Sequence, residues 1–172
     1  AFSAGNQLKL LDRRGDVRVK VKEAIDFSNE GIYFYNSLFT TTNTKGELVQ
    51  VNTKGNVSRQ NLGLDSKHAI TTSSKTLVTR SENKLSIKSN IIDLDYGSYT
   101  PPSLFYLEDK IYVTITDLQA KKVWIFNSQG NAFPKVPVFG TSAIDLANAD
   151  GDSALEFVTK SDSNSLILYQ MY

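Results

Sequence analysis

The chain has 172 residues, of which 40% are hydrophobic and 22% charged, and its formal net charge is +1. This composition is that of a folded globular protein and excludes a largely disordered chain. Because the chain has no cysteine, it forms neither disulfides nor thiolate metal sites. No apolar run approaches the roughly 20 residues that a helix needs to cross a bilayer.

The charges are divided unevenly along the chain. Residues 1–90 contain 14 Lys and Arg against 8 Asp and Glu, whereas residues 91–172 contain 5 against 10. Neither excess is large for a solvated surface, and no glycine-rich phosphate loop is present. We therefore do not predict a nucleic-acid partner.

The first strands are predicted at residues 8–11 and 16–23, on either side of the turn Asp12-Arg13-Arg14-Gly15. In the second strand Val17, Val19 and Val21 alternate with basic residues, which indicates one packed and one solvated face. The basic residues of this strand are Arg18, Lys20 and Lys22. Basic side chains of this kind protect an exposed sheet edge, which is the role that we predict for them.

The turn pattern of the first hairpin recurs between later predicted strands. Asp or Asn at the first position accepts hydrogen bonds from the turn backbone, and Gly at the fourth tolerates a positive φ. The four examples start at Asp12, Asn43, Asn52 and Asn127. Such turns join antiparallel strands.

Residues 101–140 contain the most complete predicted unit. Four short strands are predicted there, at 103–107, 111–116, 122–127 and 132–138. Four antiparallel strands in about 40 residues match the size of one β-propeller blade.

The same unit recurs, less perfectly, along the whole chain. Asp12 and Asn52 are 40 residues apart, and Asn52 and Asn127 are 75 apart, nearly two units. We predict an all-β fold of propeller-type four-stranded antiparallel blades, about four to five blades' worth, as one domain over residues 1–172. We expect this domain to be a segment of a larger ring in a longer protein. A β-sandwich, which also has short strands and regular turns, is the alternative fold.

One connection departs from the repeat by becoming acidic. Counted from Asn148 as position one, oxygen-bearing side chains follow at positions three, five and nine, as Asp150, Asp152 and Glu156. Alternate carboxylates on a tight loop, followed by a Glu on the next strand, can surround a hard cation such as Ca²⁺. The alternative interpretation is a loop in which Asp and Asn only hydrogen-bond the turn.

Residues 144–158, with their strand, acidic loop and second apolar strand, resemble the calcium-loop repeat of integrin-type FG-GAP propellers. The preceding Phe139-Gly140 fits the Phe-Gly of that family, and the looser blade pattern is similar to WD40 and quinoprotein-like propellers. The resemblance implies a propeller fold and a Ca²⁺ ion bound by Asn148, Asp150, Asp152 and Glu156. This chain departs from the family at position one, which is Asn148 rather than Asp, and at position six, which is Ser153 rather than Gly. The lower ligand charge implies weak affinity.

The remaining candidate residues favour structural roles. His68 is the sole histidine, so a multi-histidine zinc site cannot be built. A catalytic triad would also need a nucleophile and a carboxylate, and no motif such as G-x-S-x-G indicates one. We expect it at the surface or at a blade edge. The tyrosines and Trp124 are expected to pack between neighbouring blades.

We therefore predict a non-catalytic ligand-binding or scaffold module of an exported, periplasmic or cell-surface protein, with a degenerate calcium loop. Its protein or glycan partner is not identified by the sequence. Two alternatives stay open. One is an accessory part of a propeller enzyme whose active site lies outside this segment. The other is a structural module that pairs through its open blade edge, with a second copy or with upstream blades.

Overall fold

The computed structural model describes residues 1–28 and 30–171. These residues form 18 β-strands and contain no helix. Consequently, no described segment is a helix of the length and apolarity that spanning a membrane requires. The chain divides into two compact units, Ala1–Leu77 and Val78–Tyr172. Whether they belong to one propeller-like domain stays a prediction.

The first unit contains a three-stranded sheet and a four-stranded sheet, both antiparallel with strands in chain order. The three-stranded sheet consists of β1 (Phe2–Ala4), β2 (Gln7–Leu11) and β3 (Val17–Lys20). The four-stranded sheet consists of β4 (Tyr33–Tyr35), β5 (Leu38–Thr42), β6 (Glu47–Val51) and β7 (Val57–Asn61), and β8 (Ala69–Thr72) follows it.

Within each sheet of the second unit, strands that follow one another in the chain again pair antiparallel. Strand β9 (Leu77–Ser81), which starts at the last residue of the first unit, is followed by β10 (Lys84–Ile87) and β11 (Asn90–Asp93). A four-stranded sheet consists of β12 (Ser103–Leu107), β13 (Lys110–Asp117), β14 (Lys122–Asn127) and β15 (Val138–Phe139). The last sheet has three strands, β16 (Asp145–Ala147), β17 (Leu155–Lys160) and β18 (Leu166–Met171).

All four predicted Asx-Gly turns are confirmed. In each, the first side chain accepts hydrogen bonds from the backbone N–H groups two and four residues later, at 2.8–3.1 Å. The fourth residue has a left-handed backbone, with φ values of 88°, 72°, 84° and 82° at Gly15, Gly46, Gly55 and Gly130. Local chemistry alone therefore sets these four reversals.

The core is built where neighbouring sheets pack face to face. In the first unit Leu8 and Leu10 of β2 pack with Val49 and Val51 of β6. In the second unit the β12–β15 sheet is covered on both faces. Its side chains Val113, Ile115 and Phe126 join Val78, Leu85 and Ile87 in one cluster. From its other face Tyr112, Val123 and Ile125 join Leu146, Leu155 and Phe157 in a second.

Several predicted strand limits differ from the structure. The three-residue strand β1 was not predicted. The strand expected over residues 132–138 is reduced to a bridge between Phe126 and Ala132 and to the short strand β15. Pro134 and Pro137 fall within that stretch, and proline has no N–H to donate to a sheet. The expected packing of the tyrosines is wrong for Tyr96 and Tyr106, which are 92% and 61% exposed.

Candidate metal centre

The acidic loop connects the first two strands of the last sheet. The β16–β17 register places Asp145 opposite Val158 and Ala147 opposite Glu156, so the loop starts and ends at adjacent strand positions. Gly151 turns the backbone with φ of 80°, and no atom lies within 4 Å of where its Cβ would be. Ser153, which occupies the family's glycine position, is not among the described residues with positive φ. The glycine that turns the loop, Gly151, therefore lies two residues before the position at which the FG-GAP pattern has glycine.

Asn148 closes the loop through both ends of its side-chain amide. Its Oδ1 accepts a hydrogen bond from the Gly151 N–H at 2.7 Å, and its Nδ2 donates to the Asp152 carbonyl oxygen at 2.7 Å. Nδ2 also lies 3.5 Å from Glu108 Oε1. Of the four predicted ligand residues, Asn148 therefore has the most evident role in shaping the turn.

The other three predicted residues converge. Asp150, Asp152 and Glu156 each offer a carboxylate oxygen, and these oxygens lie within 4.8 Å of one another. Asp150 and Asp152 are exposed, whereas Glu156 is buried. Two unit charges about 4 Å apart repel by ~4 kcal/mol at an effective dielectric constant of ~20. A cation between the three groups would convert this repulsion into attraction.

Each aspartate already accepts hydrogen bonds from the loop. Asp150 Oδ1 accepts from the Asp152 N–H at 3.1 Å, and Asp152 Oδ1 accepts from the Ala154 N–H at 2.6 Å. Asp152 Oδ2 also accepts from Gln170 Nε2 of β18 at 3.3 Å. These contacts hold the carboxylates in place while leaving oxygen lone pairs for a further ligand.

Glu156 is the residue whose environment is least typical of a structural turn. Its side chain lies on β17 and is only 7% exposed. One carboxylate oxygen, Oε2, accepts a hydrogen bond from the Ala149 N–H at 2.8 Å, which ties the strand to the start of the loop. The other oxygen, Oε1, is buried and has no hydrogen-bond partner among the described residues. An unsatisfied buried carboxylate oxygen is costly, and a bound cation would satisfy it.

One further carboxylate, that of Glu108, approaches the loop. Glu108 approaches Asn148 from the β12–β13 turn. The pKa of the Tyr112 phenol is raised mainly by the burial of that side chain, and the negative charge of Glu108 raises it further. The ion pairs Arg59–Glu23 and Lys121–Asp162 both lie outside the loop. Glu108 therefore adds a carboxylate beside Asn148, which favours a cation over an anion as the ligand of the loop.

Gln170 is the site residue that sequence reasoning missed. It lies opposite Glu156 in the β17–β18 register, which brings its amide to Asp152. No spacing rule within the loop could have indicated a residue from a strand 14 positions after Glu156. Only the pairing of β18 with β17 places it there.

His68 lies elsewhere, in the first unit. Of its two expected positions, the surface is wrong, and a blade edge stays a prediction. His68 is 7% exposed, its Nδ1 hydrogen-bonds the Asp65 carbonyl oxygen, and its Nε2 lies 2.7 Å from Thr42 Oγ1. A buried imidazole with both nitrogens satisfied fixes the connection before β8 to the end of β5.

No protein-family model and no curated protein match this chain. Two solved structures of computationally designed proteins are similar to it. The Ika4 protein aligns with a TM-score of 0.59 and 10% sequence identity, over 92% of this chain and 99% of that one. The Ika8 protein aligns with a TM-score of 0.59 and 11% identity, over 97% of this chain and 53% of that one, so this chain spans about half of its length.

At such low identity the similarity concerns the fold alone. It agrees with an all-β chain of antiparallel sheets. It lends no support to membership of the FG-GAP or WD40 families, and that resemblance stays a prediction that rests on residues 144–158.

Proposed function

We propose that this chain is a non-catalytic binding or scaffold module of an exported or cell-surface protein, whose last sheet is stabilised by a weakly bound Ca²⁺ ion. In this proposal Asp150, Asp152 and Glu156 supply the carboxylate ligands, and Asn148 shapes the loop and lends its remaining oxygen lone pair. The sheets are the blades of a β-propeller. Two observations support this assignment of the sheets as blades. Strands pair antiparallel in chain order, and neighbouring sheets pack face to face.

The observation that carries the calcium proposal is the buried Oε1 of Glu156. A loop that only hydrogen-bonds its own backbone needs Asn148, Asp150 and Asp152, and their contacts account for the turn. It does not need a buried carboxylate that leaves one oxygen unpartnered beside two more acids. Oxygen-only ligands on an irregular loop favour Ca²⁺ over the smaller Mg²⁺, which demands strict octahedral geometry.

The ion is expected to bind weakly. Three carboxylates, two of them exposed, provide less charge and less enclosure than high-affinity calcium loops. We expect a dissociation constant on the order of 10⁻⁴ to 10⁻³ M, the range of extracellular calcium modules. Such a site is filled outside cells and empty in the cytosol, which agrees with the proposed exported location.

The test compares thermal unfolding and isothermal titration calorimetry of the whole chain with CaCl₂, MgCl₂ and a chelator. Calcium is expected to raise the melting temperature because it binds the folded loop and not the unfolded chain. The double variant Asp150→Asn/Asp152→Asn should lose this response. The matched control is Asp93→Asn, which removes an exposed acid of the second unit outside the loop and should keep it. A wild-type melting temperature that calcium does not change, together with no binding heat, would contradict the proposal.

A further inference from the structure

The β12–β13 turn brings a carboxylate of the neighbouring sheet to the acidic loop. Strand β12 ends at Leu107 and β13 begins at Lys110, so Glu108 and Asp109 form a two-residue hairpin turn. Both turn residues have left-handed backbone, with φ values of 49° and 58°. Two-residue turns with positive φ at both positions favour Asn and Gly. The conformation of the turn therefore does not explain why it consists of two acidic residues.

The two acids of this turn have different surroundings. The Tyr106 hydroxyl donates to Asp109 Oδ1 at 2.7 Å, which holds that carboxylate against its own hairpin. The Glu108 carboxylate lies instead beside the acidic loop, with its Oε1 3.5 Å from Asn148 Nδ2. A hydrogen bond of this length is weak, and Glu108 is exposed. The Glu108 side chain can therefore leave Asn148 for a stronger partner at little cost.

Glu108 lies beside the contact between two sheets of the second unit. Tyr112 of β13 packs with buried side chains of the last sheet, which are Leu146, Leu155 and Phe157. Burial raises the pKa of the Tyr112 phenol, and the negative charge of Glu108 raises it further. The charge of Glu108 therefore acts where the β12–β15 sheet meets the last sheet.

The loop by itself leaves a calcium ion short of ligands. Ca²⁺ takes about six to eight oxygen ligands. The loop offers three carboxylates, those of Asp150, Asp152 and Glu156, and several of their oxygens already accept hydrogen bonds from the chain. The buried, unpartnered Oε1 of Glu156 is the observation that indicates a cation here, but it is a single ligand atom. The remaining ligands must come from water or from a group outside the loop.

We propose that Glu108 is a further ligand of the calcium ion, so that the ion joins the β12–β13 turn to the loop of the last sheet. This inference rests on the proposed function, because it concerns the same ion. When the ion binds, the Glu108 carboxylate exchanges its weak contact with Asn148 for the ion. Asn148 Nδ2 keeps its shorter hydrogen bond to the Asp152 carbonyl oxygen, at 2.7 Å. A fourth carboxylate adds negative charge to the site, and added ligand charge strengthens calcium binding.

The experiment measures CaCl₂ binding to the full chain by isothermal titration calorimetry, in the wild type and in Glu108→Gln. Gln keeps the length of the side chain and an oxygen for Asn148 Nδ2, but it removes the charge. We expect Glu108→Gln to raise the dissociation constant by more than about threefold, because the site loses a charged ligand. The matched control is Asp109→Asn, which removes a charge from the same turn, but from a carboxylate that Tyr106 holds. In roughly 0.15 M salt, which screens charges that do not contact the ion, it should change the dissociation constant by less than about twofold.

Hydrogen exchange distinguishes a ligand from a charge that acts at a distance. An ion held by Glu108 should restrain the tip of the β12–β13 hairpin, so calcium should slow exchange in peptides covering residues 103–112 as well as 145–171. The slowing over 103–112 should be lost in Glu108→Gln and should persist in Asp109→Asn. Circular dichroism and the melting temperature in chelator verify folding. If Glu108→Gln is unfolded, Glu108→Asn replaces it, because Asn tolerates left-handed backbone.

Two results would overturn the assignment of Glu108 and leave the calcium proposal intact. One is an equal affinity of the wild type and Glu108→Gln for calcium. The other is a wild-type chain in which calcium slows exchange over residues 145–171 but not over 103–112. A wild-type chain that shows neither binding heat nor slower exchange over 145–171 contradicts the proposed function itself, and the assignment of Glu108 then fails with it.

Discussion

At the scale of single residues, Glu156 links the sequence pattern to a physical demand. The spacing of Asp150, Asp152 and Glu156 was sufficient to predict that their carboxylates converge, because alternate loop residues followed by a strand residue reach the same point. The spacing could not predict that Oε1 would be buried and unpartnered. That property depends on tertiary packing around β17 and not on the spacing of the loop residues.

Glu156→Gln should therefore have opposite effects with and without calcium. In a chelator the variant is expected to be more stable than the wild type by about 1 kcal/mol, because a neutral amide is cheaper to bury and does not repel the two aspartates. Its side-chain oxygen can still accept the Ala149 N–H. In saturating calcium the wild type should become the more stable protein, because the variant has lost a charged ligand.

Chemical denaturation of both proteins in the two buffers measures this reversal. The control for removing one negative charge is again Asp93→Asn, because Asn is the amide of the same size and shape as Asp. If Glu156→Gln has the same effect on the free energy of unfolding in both buffers, Glu156 acts as a structural residue and not as a ligand.

At the scale of elements, the turns were more predictable than the strands that they join. A turn is determined by the few residues within it, and Asx at position one with Gly at position four is sufficient. Strand limits depend on which neighbour supplies hydrogen bonds. Strand β1 has only three residues and no alternation long enough to detect, and it exists because β2 pairs with it. In the stretch 132–138 the two prolines interrupt the ladder that the apolar residues suggested.

Gly46→Ala tests how strongly one such turn is constrained. Gly46 has φ of 72°, and a Cβ at this position would clash with the Leu64 carbonyl oxygen. Left-handed backbone costs an alanine about 1 kcal/mol, and the contact with backbone atoms adds to that cost. We expect a loss of more than about 2 kcal/mol in the free energy of unfolding, measured with denaturant.

Gly5→Ala is the control for that measurement. Gly5 lies in the same unit with φ of 59°, and no atom lies within 4 Å of its Cβ position. Its substitution should therefore show only the conformational cost of about 1 kcal/mol. Equal losses for the two variants would mean that the Leu64 backbone moves aside without cost.

At the scale of the whole molecule, the charge imbalance along the chain follows its division into units. The first unit contains the basic excess and the second contains the acidic loop. The sequence predicted the repeat across the whole chain. It could not predict that the chain divides within β9, because that boundary depends on tertiary contacts and not on any break in the strand pattern. A ligand of the acidic loop should consequently act on one unit first.

Hydrogen exchange read by mass spectrometry tests where calcium acts. The loop N–H groups of Ala149, Gly151 and Ala154 donate to Glu156, Asn148 and Asp152, so an ion that fixes these side chains should slow their exchange. We expect calcium to slow exchange in peptides covering residues 145–171 and to leave peptides from residues 1–77 unchanged. Asp150→Asn/Asp152→Asn should abolish the difference, and Asp93→Asn should preserve it. Equal slowing of both units would mean that calcium stabilises the chain through non-specific binding or through association, and not through this loop.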